Sequence, residues 1–330
     1  MARKISIKDI AKAAGVSTAA VSLVMNGKEK QGRISKEVSA KIKEIAEKQN
    51  YRPNTVAQSL RTGKTKTLGL IVADISNPFF AKLARNIENL AAEKDYQVMF
   101  GSSDESKSKF RKLVNLFVEK NVDGIIVAPP QDSEDVIMEL VKIKIPSVLV
   151  DRGFDGIPVS SVQLDNVGAS YILTSHLLKQ GCRRIGFMAY NLGLPNIKKR
   201  YEGYVKALTR YKIPLDNNIV CSVVFENFED NVKNALDNLL ANDIDSIVFA
   251  TNRVGIQSLI LLQQYNKCHG LKYVSIDNPE EYQISNIPIT CIEQPIKGIG
   301  ERALSILFRH IENPQYNEVE YVVLQTKMIR

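Results

Sequence analysis

The stretch SIKDIAKAAGVSTAAVSLVMNG, residues 6–27, reads as two short helices joined by a sharp turn. Ser6 stands at an N-cap, and Asp9 three positions on completes a capping box. Ile7, Ile10, Ala11 and Ala14 then recur at helical spacing as one apolar stripe. Gly15-Val16 breaks that run, and Ser17 caps a second helix. Its inner face is Ala20, Val21, Val24 and Met25, and Asn26-Gly27 ends it. After a polar loop, Ser35 opens a third helix with Val38, Ile42, Ile45 and Ala46 inward. Helix, glycine turn, helix is the pattern of a helix-turn-helix head.

Charge sets this head apart. Residues 1–66 hold 15 Lys and Arg against 5 Asp and Glu, whereas residues 67–330 hold 29 against 31. A basic block ahead of a near-neutral body points to one part built for a polyanion and another built for something else. In a helix-turn-helix the second helix enters the major groove and its outward residues meet base edges. Here those are Ser17, Thr18, Ala19, Ser22, Leu23 and Asn26, with Ser6 at the entry of the first helix. Arg3, Lys4, Lys8, Lys28, Lys30, Arg33 and Lys36 surround that face as phosphate contacts, which position without reading sequence.

Residues 51–66, YRPNTVAQSLRTGKTK, carry four basic residues and little apolar material, and read as a hinge with one short helix at most. From residue 67 onward, Val- and Ile-rich runs alternate with amphipathic helical patterns. The strands predicted are 68–72, 97–101, 124–128, 147–150, 184–189, 220–225, 246–250 and 273–276. Helical patterns between them include 79–94, 109–120, 167–180, 199–211 and 254–265. Such alternation implies α/β architecture, with parallel sheets covered by helices on both faces. So many units imply two sheets. Ligands of such folds bind beyond the carboxyl ends of the strands, which two lobes bring together across a cleft. No internal repeat is evident in the sequence.

What the sequence lacks narrows the class. No apolar stretch approaches the roughly 18 residues of a membrane span. The N-terminus has charges throughout and no apolar signal core, so a cytoplasmic protein is expected. Cys182, Cys221, Cys268 and Cys291 are scattered without CxxC spacing. His176, His269 and His310 form no ligand-like cluster, so neither metal nor cofactor is expected. No GxGxxG, P-loop or GxSxG string follows a strand, which argues against an enzyme on a doubly wound fold.

The head, the hinge and the start of the body (SIKDIAKAAGVSTAAVSLVMNG, ISKEVSAKIKEIAEKQNYRPNTVAQSLRTGKTKTLGLIVADISNPFF) together resemble the lac-repressor family of bacterial transcription regulators. DRGF, KKRYEGY, FATNR, VSIDN and CIEQP recur in order toward the C-terminus and extend the resemblance. It implies a homodimer that binds a pseudo-palindromic double-stranded operator through two heads. It also implies a hinge that becomes helical only on DNA. Leu60 would then wedge into the minor groove, with Asn54 and Ala57 along the hinge contact; an apolar wedge of this kind unstacks and bends a duplex. The family usually has arginine at the Leu23 position, so one bidentate guanine contact, worth about 1–3 kcal/mol, is missing here. Apolar contact with a thymine methyl is its natural replacement.

The body also resembles ribose-type periplasmic sugar-binding proteins. The resemblance assigns ligand contact to Asn77, Phe79, Phe80, Asp151, Arg152, Arg200, Phe228, Asn252, Asp277 and Gln294. The residue types suit a monosaccharide: aromatics cover C–H faces, while Asp, Asn, Arg and Gln bond neighbouring hydroxyls. Where the family commonly has aspartate after Asn252 and then small residues, this chain has Arg253, Ile256 and Ser258. The organisation expected is a head over residues 1–50, a hinge over 51–66, and a two-lobed core over 67–330. Its N-lobe comprises about 67–162 and 293–318, and its C-lobe about 163–292 and 319–330. The function expected is a sequence-specific regulator, a repressor, whose operator affinity follows a small-molecule effector, a monosaccharide in the cleft. Two alternatives stay open: a nucleobase effector, and a sugar-binding protein without a regulatory role.

Overall fold

In the computed structural model three helices form the head, each started by its serine. The structure describes residues 5–51, 59, 62–190, 193–224, 226–266, 270–285 and 287–329. It divides into two units, Met1–Thr65 and Lys66–Arg330. Helix α1 (Ile7–Ala14) has the full capping box, Ser6 accepting from the Asp9 amide and Asp9 from the Ser6 amide. Gly15 ends it at φ 70°, a left-handed conformation that glycine adopts without steric cost. Ser17 caps α2 (Thr18–Met25) and Ser35 caps α3 (Lys36–Lys48). The core beneath them is small, with Ile10, Val21, Val24 and Ile42 fully enclosed. At about 1.5–3 kcal/mol per buried side chain, each cap at about 1 kcal/mol is a sizeable part of what holds the head.

The second unit is built from strand–helix units. The first lobe begins β1 (Thr67–Val72), α4 (Pro78–Ala92), β2 (Gln97–Ser102), α5 (Lys107–Glu119) and β3 (Gly124–Val127). It continues α6 (Glu134–Lys142), β4 (Ser147–Val150) and β5 (Ser160–Leu164). The chain then crosses into α7 (Asn166–Lys179), β6 (Ile185–Tyr190), α8 (Pro195–Arg210), β7 (Val220–Val223), α9 (Phe228–Ala241) and β8 (Ser246–Phe249). After these come α10 (Asn252–Gln264), β9 (Lys272–Ile276), α11 (Glu280–Ile284) and β10 (Ile289–Glu293). Helix α12 (Ile296–Glu312) and β11 (Tyr321–Leu324) return to the first lobe, and β12 (Lys327–Ile329) ends in the second.

Two six-stranded sheets result, ordered β11-β5-β4-β3-β1-β2 and β12-β10-β9-β8-β6-β7. Position for position the orders are the same, so the fold contains a duplication that no sequence repeat discloses. The first sheet is parallel throughout; the second has one antiparallel edge, β12 against β10. Central strands such as β3, β6 and β8 are buried at every residue, as sheets covered on both faces require. Phe79, Phe80, Leu83 and Ile87 of α4 pack with α12 on one face of the first sheet. Phe110, Val114 and Phe117 of α5 pack with α6 on the other.

Two expectations need correction. Residues 319–324 do not belong to the second lobe, because Tyr321–Leu324 runs parallel to Ser160–Leu164 in the first sheet and only Lys327–Ile329 crosses back. Tyr321–Leu324 is an edge strand, exposed and half-buried in alternation, unlike the central strands. Four strands are not among those predicted: β5 (SSVQL), β10 (ITCIE) and β12 (KMI) are short or interrupted by polar residues, and β11 (YVVL) is missing from the prediction despite its apolar run. The eight predicted strands are all present, mostly shifted by one or two residues at an end, with residue 225 of the sixth outside the described residues. Among the described residues no helix is long and apolar enough to cross a membrane.

Candidate functional site

On the head, Thr18, Ala19, Ser17 and Asn26 are exposed on or beside α2, as are Ser6 and Arg33. Asn26 donates to the Ser22 carbonyl at 2.6 Å, which holds its amide against the end of the helix. Leu23 is half-buried: a Cβ placed on Gly32 would fall 2.5 Å from its Cδ1, so part of the side chain covers that loop. The loop itself is tied down. Glu29 accepts from Lys43 at 2.7 Å and from Ser39 at 3.3 Å, and the Lys43 bond holds its carboxyl below the usual range. Asn54, Ala57 and Leu60 lie outside the described residues, as do Arg3 and Lys4.

In the second unit the facing strand ends border a narrow cleft that opens to solvent. Nine of the ten expected ligand residues line it: Asn77, Phe79, Phe80, Asp151, Arg152, Arg200, Asn252, Asp277 and Gln294. All but Arg200, which lies more than a turn inside α8, arrive there because they follow a strand or start a helix. Asp151 follows β4 and Asp277 follows β9, equivalent positions of the two sheets. Both sit at positive φ, 67° and 79°, and donate their amides to the neighbouring strand, at Val162 and Ile292. Aspartate tolerates that left-handed region better than most residues, and both positions face the same cleft. The tenth residue, Phe228, stands one layer back. The Arg253 guanidinium lies over its ring at 4.7 Å and takes its place at the rim.

The polar groups are held before any ligand arrives. Arg152 bonds Glu105 at 2.9 and 3.0 Å and Asp151 at 3.1 Å. Burial opposes its charge, but these two carboxylates outweigh burial and raise its pKa. Arg200 donates to Asn166 Oδ1 at 2.8 Å and to the Ala250 carbonyl at 2.6 Å, and burial lowers its pKa. Burial likewise raises the pKa of Asp277, with Arg200 and the 2.8 Å bond from Gln294 opposing. Links also cross the cleft: Asn252 Nδ2 to Asn77 Oδ1 at 2.9 Å, Asn196 Nδ2 to Asp151 Oδ2 at 3.0 Å, and the ion pair of Arg253 with Asp74.

Several groups are left for a ligand. Among the described residues, the buried Gln294 Oε1 and Thr251 Oγ1 have no hydrogen-bond partner. The Asp277 oxygen that Gln294 does not reach, Asp151 Oδ1 and Arg200 Nη2 likewise have no protein partner there. Phe79 and Phe80, edge to face at 5.0 Å, supply an apolar wall. Open acceptors and donors side by side beside aromatic rings suit a molecule whose groups both donate and accept, as hydroxyls do.

Sequence comparison matches residues 6–54 to the model of bacterial regulatory proteins of the lacI family, and residues 68–288 to a periplasmic binding protein domain. Catabolite control protein A of Priestia megaterium is 31% identical over 312 residues, 93% of this chain and 92% of that one. The chain belongs to the lacI family of bacterial regulatory proteins. The ribose operon repressor of Halalkalibacterium halodurans is 31% identical over 329 residues, covering 98% of this chain and 95% of its own. Among solved structures, the lac repressor dimer bound to operator and an anti-inducer superposes with a TM-score of 0.84 at 19% identity, covering 99% and 98% of the two chains. As a lacI-family member this chain is a DNA-binding transcription regulator.

Sequence reasoning missed Asp74, Glu105, Tyr190, Leu194, Asn196, Ile197 and Thr251, which line the lacI-family cleft here together with Arg253, singled out in the sequence as a departure from the family. A signal for most was available. Asp74, Glu105, Tyr190 and Thr251 end or follow β1, β2, β6 and β8, where the strand-end rule places ligands. Asn196 and Ile197 open α8 behind Pro195, as Phe79 and Phe80 open α4 behind Pro78.

Proposed function

We propose that this regulator is a repressor that reads a pseudo-palindromic operator as a homodimer and responds to a monosaccharide held in the cleft. The observation that carries the reading is the set of buried polar groups without protein partners, walled by Phe79 and Phe80, on the same chain as a basic helix-turn-helix head. The ribose operon repressor among its relatives supports a sugar in particular. Outward residues of α2 (Thr18, Ala19, Ser22 and the exposed part of Leu23) read base edges. Asn26 and Arg33 flank them, and the surrounding lysines hold phosphates. Asn54, Ala57 and Leu60 complete the grip at the hinge. The role is regulatory rather than catalytic, and its place is the cytoplasm, where the operator is.

Effector control needs a coupling of only about 1–3 kcal/mol between sites. The cross-cleft links supply a device for it. Asn77–Asn252, Asp151–Asn196 and Asp74–Arg253 join the lobes through residues that also line the ligand space, so a ligand that replaces or reinforces them shifts the balance between lobe arrangements. Gel-shift assays with genomic fragments, run with and without a panel of pentoses and hexoses, test the reading. The expected result is a retained fragment whose retention changes with one sugar. A response to purine bases and to no sugar would transfer the site to a nucleobase, and no retained fragment under any condition would defeat the regulator reading.

A further inference from the structure

Three guanidiniums and four carboxylates line the cleft among the described residues, and their pairing restricts what can enter. Arg152 is engaged by Glu105 and Asp151. Arg200 shares the buried interior with Asp277, and each stabilises the other's charge. Arg253 pairs with Asp74, whose other oxygen is fixed by the Ser76 amide and hydroxyl at 2.9 and 2.6 Å. Arg152 and Arg253 are each paired with a carboxylate, Arg200 bonds Asn166 and the Ala250 carbonyl with Asp277 nearby, and the four carboxylates outnumber the three guanidiniums by one. A phosphate or carboxylate on the ligand would meet that excess negative charge in a site of low dielectric, where like charges repel strongly.

Arg253 also occupies the boundary of the space. Its side chain is 31% exposed, its guanidinium bridges from α10 to Asp74 behind β1, and its flat face rests on Phe228. Phe228 is braced in turn by Tyr190, ring to ring at 6.3 Å. A guanidinium fixed on one side by an ion pair and on the other by an aromatic face is held at both ends. A second ring attached to a bound ligand would have to displace it.

We propose that Arg253 makes this cleft selective for a single uncharged, hydroxyl-rich ring, by closing the rim against a second ring and by cancelling Asp74 without leaving a cation for an anionic ligand. The proposal rests on the sugar reading above and narrows it. Asp74 and Arg253 are thereby specificity-determining residues, each acting through the other.

The test is isothermal titration of the full chain with neutral pentoses and hexoses, their monophosphate esters and disaccharides, using wild type, Arg253→Ala, Arg253→Lys and Asp74→Asn. Circular dichroism confirms that each variant is folded. In wild type, one neutral monosaccharide binds at least tenfold tighter than its phosphate ester and than any disaccharide. Arg253→Ala shifts the disaccharide-to-monosaccharide affinity ratio at least tenfold toward the disaccharide, and Arg253→Lys shifts it less. Asp74→Asn frees a guanidinium and raises the affinity for the phosphate ester at least tenfold relative to the parent sugar. A phosphate ester that binds wild type as tightly as its parent sugar overturns this proposal and leaves the sugar reading standing. So do variants that leave both ratios unchanged. Failure of every sugar to bind wild type removes the sugar reading itself, and this proposal with it.

Discussion

Replacing Gly203 with alanine should open the packing that positions Arg200. Gly203 lies in α8 where it crosses α7, and a Cβ there would fall 2.2 Å from the Val167 carbonyl oxygen, 2.9 Å from Ser170 Cβ and 3.0 Å from the Tyr171 amide nitrogen. Two of the three obstacles are backbone and cannot swing aside, so the helices must separate by about 1 Å to restore ordinary contact near 3.5 Å. Such overpacking costs about 1–3 kcal/mol. The same separation stretches the 2.8 Å bond from Arg200 on α8 to Asn166 on α7, a charged hydrogen bond of the kind worth about 1.5–3 kcal/mol. Alanine returns about 1 kcal/mol of helix propensity. The net loss is about 1.5–5 kcal/mol, which lowers the melting temperature of a unit this size by roughly 3–20 °C. Thermal unfolding followed by circular dichroism measures it, and effector titration should show weaker binding because Arg200 loses its support. Gly298→Ala is the control: its Cβ meets nothing nearer than 3.6 Å, so it should cost nothing. A Gly203→Ala protein as stable as wild type would mean that the crossing is looser than its geometry and would refute the argument.

Three further outcomes follow from the same structure. Burial raises the Asp277 pKa above its ordinary 3.8, so stability present below pH 3.8 is lost as pH rises through the raised value. Asp277→Asn should therefore gain in urea midpoint relative to wild type over that rise while losing effector affinity, and a difference that stays flat from pH 4 to pH 7 contradicts it. Ser17→Ala removes the acceptor of the 3.1 Å bond from the Ala20 amide and should cost α2 about 1 kcal/mol, read as faster amide exchange confined to the head. Lys30→Ala should weaken operator binding equally across sequence variants and reduce the salt-dependence slope by about 1; an unaltered slope would take Lys30 away from the phosphates.

The caps show what local chemistry alone fixed. Ser6 with Asp9, Ser17 and Ser35 set three helix starts, and Gly15 set one end, because each needs only its own neighbours three or four residues away. Solid apolar runs did the same for the central strands, which are buried on both faces whatever their partners. The cleft-lining residues legible in sequence were those that a family motif holds in a contiguous string, such as ISNPFF or VDRG.

Tertiary structure decided the rest. Of the strands not read from the sequence, β11 and β12 are sheet edges, while β5 and β10 lie inside their sheets with polar residues or cysteine breaking the apolar run, and the last lobe crossing was misplaced accordingly. The pairing of Arg253 with Asp74 spans 179 residues and depends on two sheets facing one another. Phe228 keeps the residue type of a ligand contact, yet the arginine beside it takes the rim. Residue types fix which groups exist, and short-range bonds fix where helices begin. Which charges meet across the cleft, and so what it will accept, is set by how two lobes of one unit face each other, and no local pattern encodes it.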